Sequence, residues 1–264
     1  MTSATFMQTN KLFLRTLLWG SCALLLSVGQ GASAEPVELV ELRPYHLEFK
    51  ADYKFIMPFK GKAERTLNQL EDGSWLLTND VSSRLIKVKE SSRFNWRDNH
   101  PQPREYNYSL KGLGAKKHRS NQFDYHSGEV YSSWKKETAE YELIDGLVDR
   151  LCVQTALRID LMNDGKIDSY QVAEKRNPRT LQFEVVGEEV LETALGAFNT
   201  VKIKRTRKPD SKRESYFWLA KDWDYLLLKV SHVEKGKSYV IEMSNGVLDG
   251  RAITGLSDTR LTTN

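Results

Sequence analysis

Cysteine is nearly absent from this chain of 264 residues: Cys22 and Cys152 are the only two. Cys22 falls in an N-terminal segment expected to be removed, which leaves Cys152 alone. A single thiol excludes an intramolecular disulfide, even in an oxidising compartment. Its setting, Leu151-Cys152-Val153, reads as a buried and inert thiol. Other signatures are missing too. Without a Gly-x-Ser-x-Gly there is no nucleophile elbow for Ser/His/Asp chemistry. There is no Gly-rich phosphate loop, and Gly112-Leu113-Gly114 is a bare turn. His46, His100, His118, His126 and His232 include no pair at the i, i+2 or i, i+4 spacing of a local metal site. No metal or cofactor is expected. Fixed repeats and low-complexity tracts are absent.

What is present begins with a targeting signal. Lys11 and Arg15 precede a mostly apolar run from Leu12 to Val28, and Ala32-Ser33-Ala34 offers small residues for a signal peptidase. Arg15, Gly20, Ser21 and Ser27 dilute the run, which favours cleavage after Ala34 over a retained membrane anchor. Cys22 is followed by further apolar residues, Ala23 to Leu26, which argues against lipidation. Residues 1–34 are therefore expected to be a cleaved signal peptide, and the destination periplasmic. The signal holds two of the 39 basic residues and none of the 35 acidic ones, so the mature chain has a net charge of +2. That balance selects no partner, and export argues against nucleic acid.

The remaining sequence predicts one β-rich domain over residues 35–256, with a frayed polar tail at 257–264. Tyr45, Leu47, Phe49, Ala51, Tyr53 and Phe55 alternate with His46, Glu48, Lys50, Asp52 and Lys54, the period-two pattern of a half-buried strand. Glu71-Asp72-Gly73-Ser74 signals a hairpin. Trp75 to Lys89 reads as strand with a break near Asn79-Asp80. Asn99-His100-Pro101-Gln102-Pro103 reads as a loop, and Arg104 to Lys111 as strand. Asn121 to Tyr131 reads as a hairpin turning at Ser127-Gly128. Asp149 to Met162 has helical spacing and stops at Asn163-Asp164-Gly165, which predicts one amphipathic helix. Strands are expected at Lys166–Lys175, Thr180–Val186, Glu188–Leu195, Ala197–Arg207, Arg213–Leu219, Tyr225–Val233 and Lys237–Met243. The sum is a mainly all-β fold: a curled antiparallel or barrel-like sheet of about a dozen strands, with one short helix plugging or flanking it.

Chemical candidates are few. Asp160 to Gln171 imitates a calcium loop, with Gly165 and Asp168 in place. Met162 and Gln171 stand where oxygen ligands belong. Glu188, Glu189 and Glu192 could pair as glycosidase carboxylates, but a strand after Gly187 exposes them in any case. Two basic clusters stand out: Lys111 with Lys116-Lys117-His118-Arg119, and Lys202, Lys204, Arg205 and Arg207, followed by Lys208 and Lys212-Arg213. The second is the candidate contact for an anionic ligand, through Lys202, Lys204, Arg205 and Arg207. In it Val201 and Ile203 take one face while Lys202 and Lys204 take the other.

Three stretches carry a family resemblance: Leu151-Cys152-Val153-Gln154-Thr155-Ala156-Leu157-Arg158, Glu192-Thr193-Ala194-Leu195-Gly196-Ala197-Phe198-Asn199-Thr200-Val201-Lys202, and Phe217-Trp218-Leu219-Ala220-Lys221-Asp222. Together they resemble the exported bacterial family known as domain of unknown function 3108, from about Tyr45 to Met243. The resemblance implies a periplasmic β-barrel-like domain of Gram-negative bacteria and supplies no catalytic residues. One departure is Tyr225 to Val230, which lacks the proline often found there. Gly196, Phe198 and Trp218 read as structural motif residues, Gly196 for a tight turn or bulge. The expected role is a non-catalytic module binding a lipid, lipopolysaccharide or other anionic envelope component. Rival readings are an enzyme acting on envelope glycan or lipid, and a scaffold that pairs through a sheet edge with an envelope protein.

Overall fold

A computed structural model describes residues 39–53, 59–112, 114–167, 169–234 and 236–256. The signal segment, Lys54, Phe55, Leu113, Asp168, Lys235 and the tail lie outside the described residues. Fifteen strands form one antiparallel sheet among the described residues. The first eight are β1 (Tyr45–Tyr53), β2 (Phe59–Gln69), β3 (Trp75–Ser83), β4 (Ile86–Arg97), β5 (His100–Gly112), β6 (Ala115–Asp124), β7 (Glu129–Trp134) and β8 (Glu137–Glu142). Helix α1 (Cys152–Asn163) follows. Then come β9 (Ser169–Val172), β10 (Arg179–Thr193), β11 (Gly196–Thr206), β12 (Arg213–Ala220), β13 (Leu226–Glu234), β14 (Lys237–Leu248) and β15 (Arg251–Ala252).

Two meanders make the sheet. Strands β1 to β8 pair in sequence order, β9 to β14 do the same, and β1 joins the halves by pairing with β14 (Leu47 opposite Gly246). The ladder does not close on itself, since β8 and β9 are its two ends. What joins these ends is mostly side-chain chemistry. Val148 makes a short parallel bridge to Val172. The Glu174 carbonyl then accepts hydrogen bonds from Tyr141 Oη (2.8 Å), Ser132 Oγ (3.3 Å) and Asn121 Nδ2 (3.3 Å), one from each of β8, β7 and β6.

Period-two alternation places the core inside the curl. Tyr45, Leu47, Phe49 and Ala51 of β1 are buried, as are Leu67, Leu77, Phe94, Tyr106 and Val130 of strands β2 to β7. Helix α1 is covered around most of its circumference, with Cys152, Val153, Thr155, Ala156, Leu157, Arg158, Ile159 and Leu161 all buried. It is therefore a plug within the sheet and less amphipathic than a surface helix. Asp149 starts it: Oδ1 accepts the N–H groups of Leu151 (2.7 Å) and Cys152 (2.8 Å), satisfying two donors that the first turn leaves free.

Several sequence expectations are corrected. Strand β3 runs unbroken through Asn79 and Asp80, and the chain turns at 84–85 instead. Asp80 holds β3 to β4 with a 3.5 Å ion pair to Lys89, so these polar residues decorate a strand face. The segment at Pro101 and Pro103 is strand rather than loop. β5 pairs with β6 only from Glu105 onward, so residues 100–104 form a local edge, where a sheet tolerates proline. Thr180 to Thr193 is one strand instead of two, with Ala194 and Leu195 in the following turn; the register shift between Val185 and Gly187 leaves Val186 as a bulge within β10. The β7–β8 hairpin extends past Tyr131 to Glu142, where alternation in the sequence is weak.

Candidate functional site

The curled sheet leaves a cavity of about 400 Å³ between α1 and strands β1, β2 and β10 to β13. Its apolar wall comes from alternating positions: Leu181 and Phe183 of β10, Ile203 of β11, and Phe217 and Leu219 of β12. Phe183 packs edge-to-face against Phe217, with ring centres 6.2 Å apart. Leu47 from β1 and Val153 and Leu157 from α1 complete it.

The polar part of the wall is strongly biased. Seven arginines line the cavity (65, 150, 158, 179, 205, 207 and 213), against the single carboxylate of Glu174. Glu174 is already engaged, by Arg119 at 2.8 Å and Arg150 at 2.9 Å. Arg213 is matched by Glu234. Arg158 donates from Nε to the Asp224 carbonyl (2.8 Å) and lies over the Tyr45 ring, 5.3 Å from its centre. Arg65 donates from Nη1 to Gln154 Oε1, while its Nε is buried without a partner among the described residues. Thr155 Oγ is in the same condition.

Arg179, Arg205 and Arg207 have no carboxylate within ion-pair distance among the described residues. Burial and the charges of Arg207, Arg179 and Arg150 push the Arg205 guanidinium down to about 10. It remains cationic at neutral pH; burial is the larger cause, and the neighbouring arginines add to it. Arg207 is lowered by burial and by Arg213 and Arg179. Its Nη2 donates to Ser215 Oγ (3.1 Å), which lies 2.7 Å from His232 Nδ1, and its Nε is buried and unpartnered. Burial and Arg207 hold His232 below its usual range. Ser215 Oγ thus bridges the Arg207 guanidinium and the His232 imidazole.

The sequence grouped Lys202, Lys204, Arg205 and Arg207 as one anion site; the structure divides them. Lys202 and Lys204 are on the outer face, paired with Glu189 (3.7 Å) and Glu184 (3.8 Å) and stacked over Tyr216 and Trp218. Arg205 and Arg207 continue the inward parity of Val201 and Ile203. That alternation was visible in the sequence and, carried two residues further, finds them. Arg65, Arg158 and Arg179 had no such signal, because they arrive from distant elements.

Other candidates have structural partners. Glu188 pairs with Lys221 (2.5 Å), and Glu189 accepts from Trp218 Nε1; neither lines the cavity. Asp160 accepts from Tyr170 Oη (2.6 Å). Arg119 belongs to the Glu174 clasp. No cluster of three metal-ligating side chains occurs among the described residues. Cys152 is buried beside Ser92 Oγ (3.1 Å) and Asp149, and burial raises its thiol well above the usual range. Phe198 and Trp218 are buried. Gly196 has φ +108° and lies against Gly255, where a Cβ would come within 3.1 Å of the Gly255 Cα.

A family model described as protein of unknown function (DUF3108) matches residues 48–244. The chain belongs to the DUF3108 family. The match spans the whole cavity wall from β1 to β14, except Tyr45 and Leu47 at its start. Among solved structures, the chain is similar to a beta-barrel-like protein of domain of unknown function DUF1849 from Brucella abortus. The TM-score is 0.58 at 9% sequence identity, covering 80% of this chain and 99% of that one. This likeness shows a shared fold. No curated protein matches the sequence.

Proposed function

We propose that this DUF3108 chain is an exported, non-catalytic binding module that holds a single-chain anionic amphiphile within its curled sheet. The observation that carries the reading is the cavity itself, with an apolar wall of Leu, Ile and Phe and a set of arginines short of carboxylate partners. An acyl chain suits the wall, and an anionic group suits the arginines. A volume near 400 Å³ lies toward the lower end of ligand pockets, roughly 300–1,000 Å³. That favours one acyl chain over the several chains of a lipopolysaccharide. The basic, apolar and small-residue segments of residues 1–34 support export, and the periplasm is the proposed destination. Cys152 lies outside the cavity lining, the one lining carboxylate, Glu174, is held by two arginines, and Ser215 and His232 are engaged with Arg207, which favours binding over catalysis.

Native mass spectrometry of protein recovered from the periplasm tests this. A co-purifying lipid of one acyl chain, or stoichiometric uptake of such a lipid by stripped protein, is the expected result. Protein that carries no lipid and takes up none overturns the proposal. N-terminal sequencing of the same sample is expected to begin at Glu35.

A further inference from the structure

We infer that the charged end of the cavity, formed by Arg179, Arg205 and Arg207, recognises a phosphate monoester. This rests on the interior-site reading above and adds the identity of the head group. Three planar guanidinium groups converge there from β10 and β11 without a carboxylate partner among the described residues. The nearby acids are committed: Glu174 is shared by two arginines, and Glu234 is paired with Arg213. A fatty-acid carboxylate offers two oxygens and one charge. A phosphate monoester offers three terminal oxygens and up to two charges, which matches three donor forks and leaves less positive charge unbalanced.

The residue types agree with this. Along β11 the lysines, Lys202 and Lys204, point outward, while the inward basic positions are Arg205 and, just past the strand end, Arg207. Arginine presents a rigid fork that binds phosphate oxygens two at a time, which a lysine ammonium cannot. Arg207 is also held in place. Ser215 Oγ accepts from its Nη2 and is itself oriented by His232 Nδ1 at 2.7 Å. Ser215 and His232 are positioning residues for the Arg207 guanidinium at the cavity wall.

Isothermal titration of the stripped, full mature chain at neutral pH tests the assignment with four probes: dodecyl phosphate, dodecanoate, dodecyl maltoside and inorganic phosphate. Dodecyl phosphate is expected to bind at least about tenfold more tightly than dodecanoate, the scale of one extra charge-assisted hydrogen bond. Arg205→Gln and Arg207→Gln should reduce that preference to near unity, and Arg207→Lys should lose most of it despite keeping the charge. Lys202→Gln should leave it intact. Circular dichroism confirms that each variant is folded, and the wild-type preference needs no variant. Equal binding of dodecanoate and dodecyl phosphate overturns the phosphate assignment while leaving the interior site standing. Inorganic phosphate binding as tightly as dodecyl phosphate supports the phosphate site but points to a soluble ester and refutes the amphiphile. Binding of dodecyl maltoside alone, or of no probe, overturns both readings.

Discussion

Asp149 makes the stability of this fold depend on pH in a direction opposite to that of most carboxylates. Its side chain is fully buried at the start of α1, where it accepts hydrogen bonds from the Leu151 and Cys152 N–H groups and from Ser92 Oγ. Those bonds favour the carboxylate, but burial outweighs them, and the charge of Glu90 adds to it. The group is raised from 3.8 to about 6. The folded state therefore holds this proton more tightly than the unfolded chain. The resulting stabilisation is fully present below pH 3.8 and is lost as pH rises through 6. A shift of roughly two units at about 1.36 kcal/mol each corresponds to ~3 kcal/mol. Asp149→Asn keeps an oxygen for the two N–H groups and removes the titration. Urea unfolding of both proteins from about pH 4 to pH 8 reads the effect as a difference. Wild type should lose most of that ~3 kcal/mol relative to the variant over this range. His232, whose lowered value acts in the opposite sense, is common to both proteins and cancels. A difference that stays flat with pH would refute the reasoning, because a buried carboxyl that titrates near its ordinary value has no linkage to report.

Three further outcomes follow from packing. Gly255→Ala puts a Cβ 2.4 Å from the Gly196 carbonyl carbon and 2.5 Å from the Ala197 nitrogen, backbone atoms that cannot move aside cheaply. It should destabilise by roughly 1–3 kcal/mol in urea. Gly250→Ala, with φ +74° and nothing within 4 Å, should cost only about 1 kcal/mol, and equal losses at the two sites would contradict the close-contact explanation. Tyr141→Phe removes a 2.8 Å bond to the Glu174 carbonyl and should cost about 1 kcal/mol, with faster hydrogen exchange along β8; unchanged exchange there would mean that the clasp does not hold the sheet ends together. Cys152 should resist a thiol reagent in native buffer and react only at the rate of unfolding, so rapid native labelling would show that the thiol is accessible.

Much of the fold was legible where one physical preference dominated. The alternation from Tyr45 to Ala51 needed only one buried face, and that face is buried. The helical spacing after Asp149 ended at Asp164, as its Gly turn implied. Errors arose where neighbours decide. Pro101 and Pro103 look like loop residues until β5 is seen to lack a second partner at that point. Gly187 looks like a strand end until it is seen opposite Lys202, with Glu188 opposite Val201 beyond it. The carbonyl of Glu174 receives three side chains brought together by the curl of the open sheet, and no local pattern in its sequence announces that.

Periodicity and motif order are local properties of a chain, and they were enough to specify a mainly antiparallel sheet, one helix and membership of a family. The sequence also contained the parity that turns Arg205 and Arg207 inward. That Arg65, Arg158 and Arg179 meet those two around one cavity with an apolar wall is a property of the three-dimensional fold alone. Contributions from β2, α1 and β10 are separated by long stretches of chain. They converge only after the sheet has curled around the helix and its ends have been clasped.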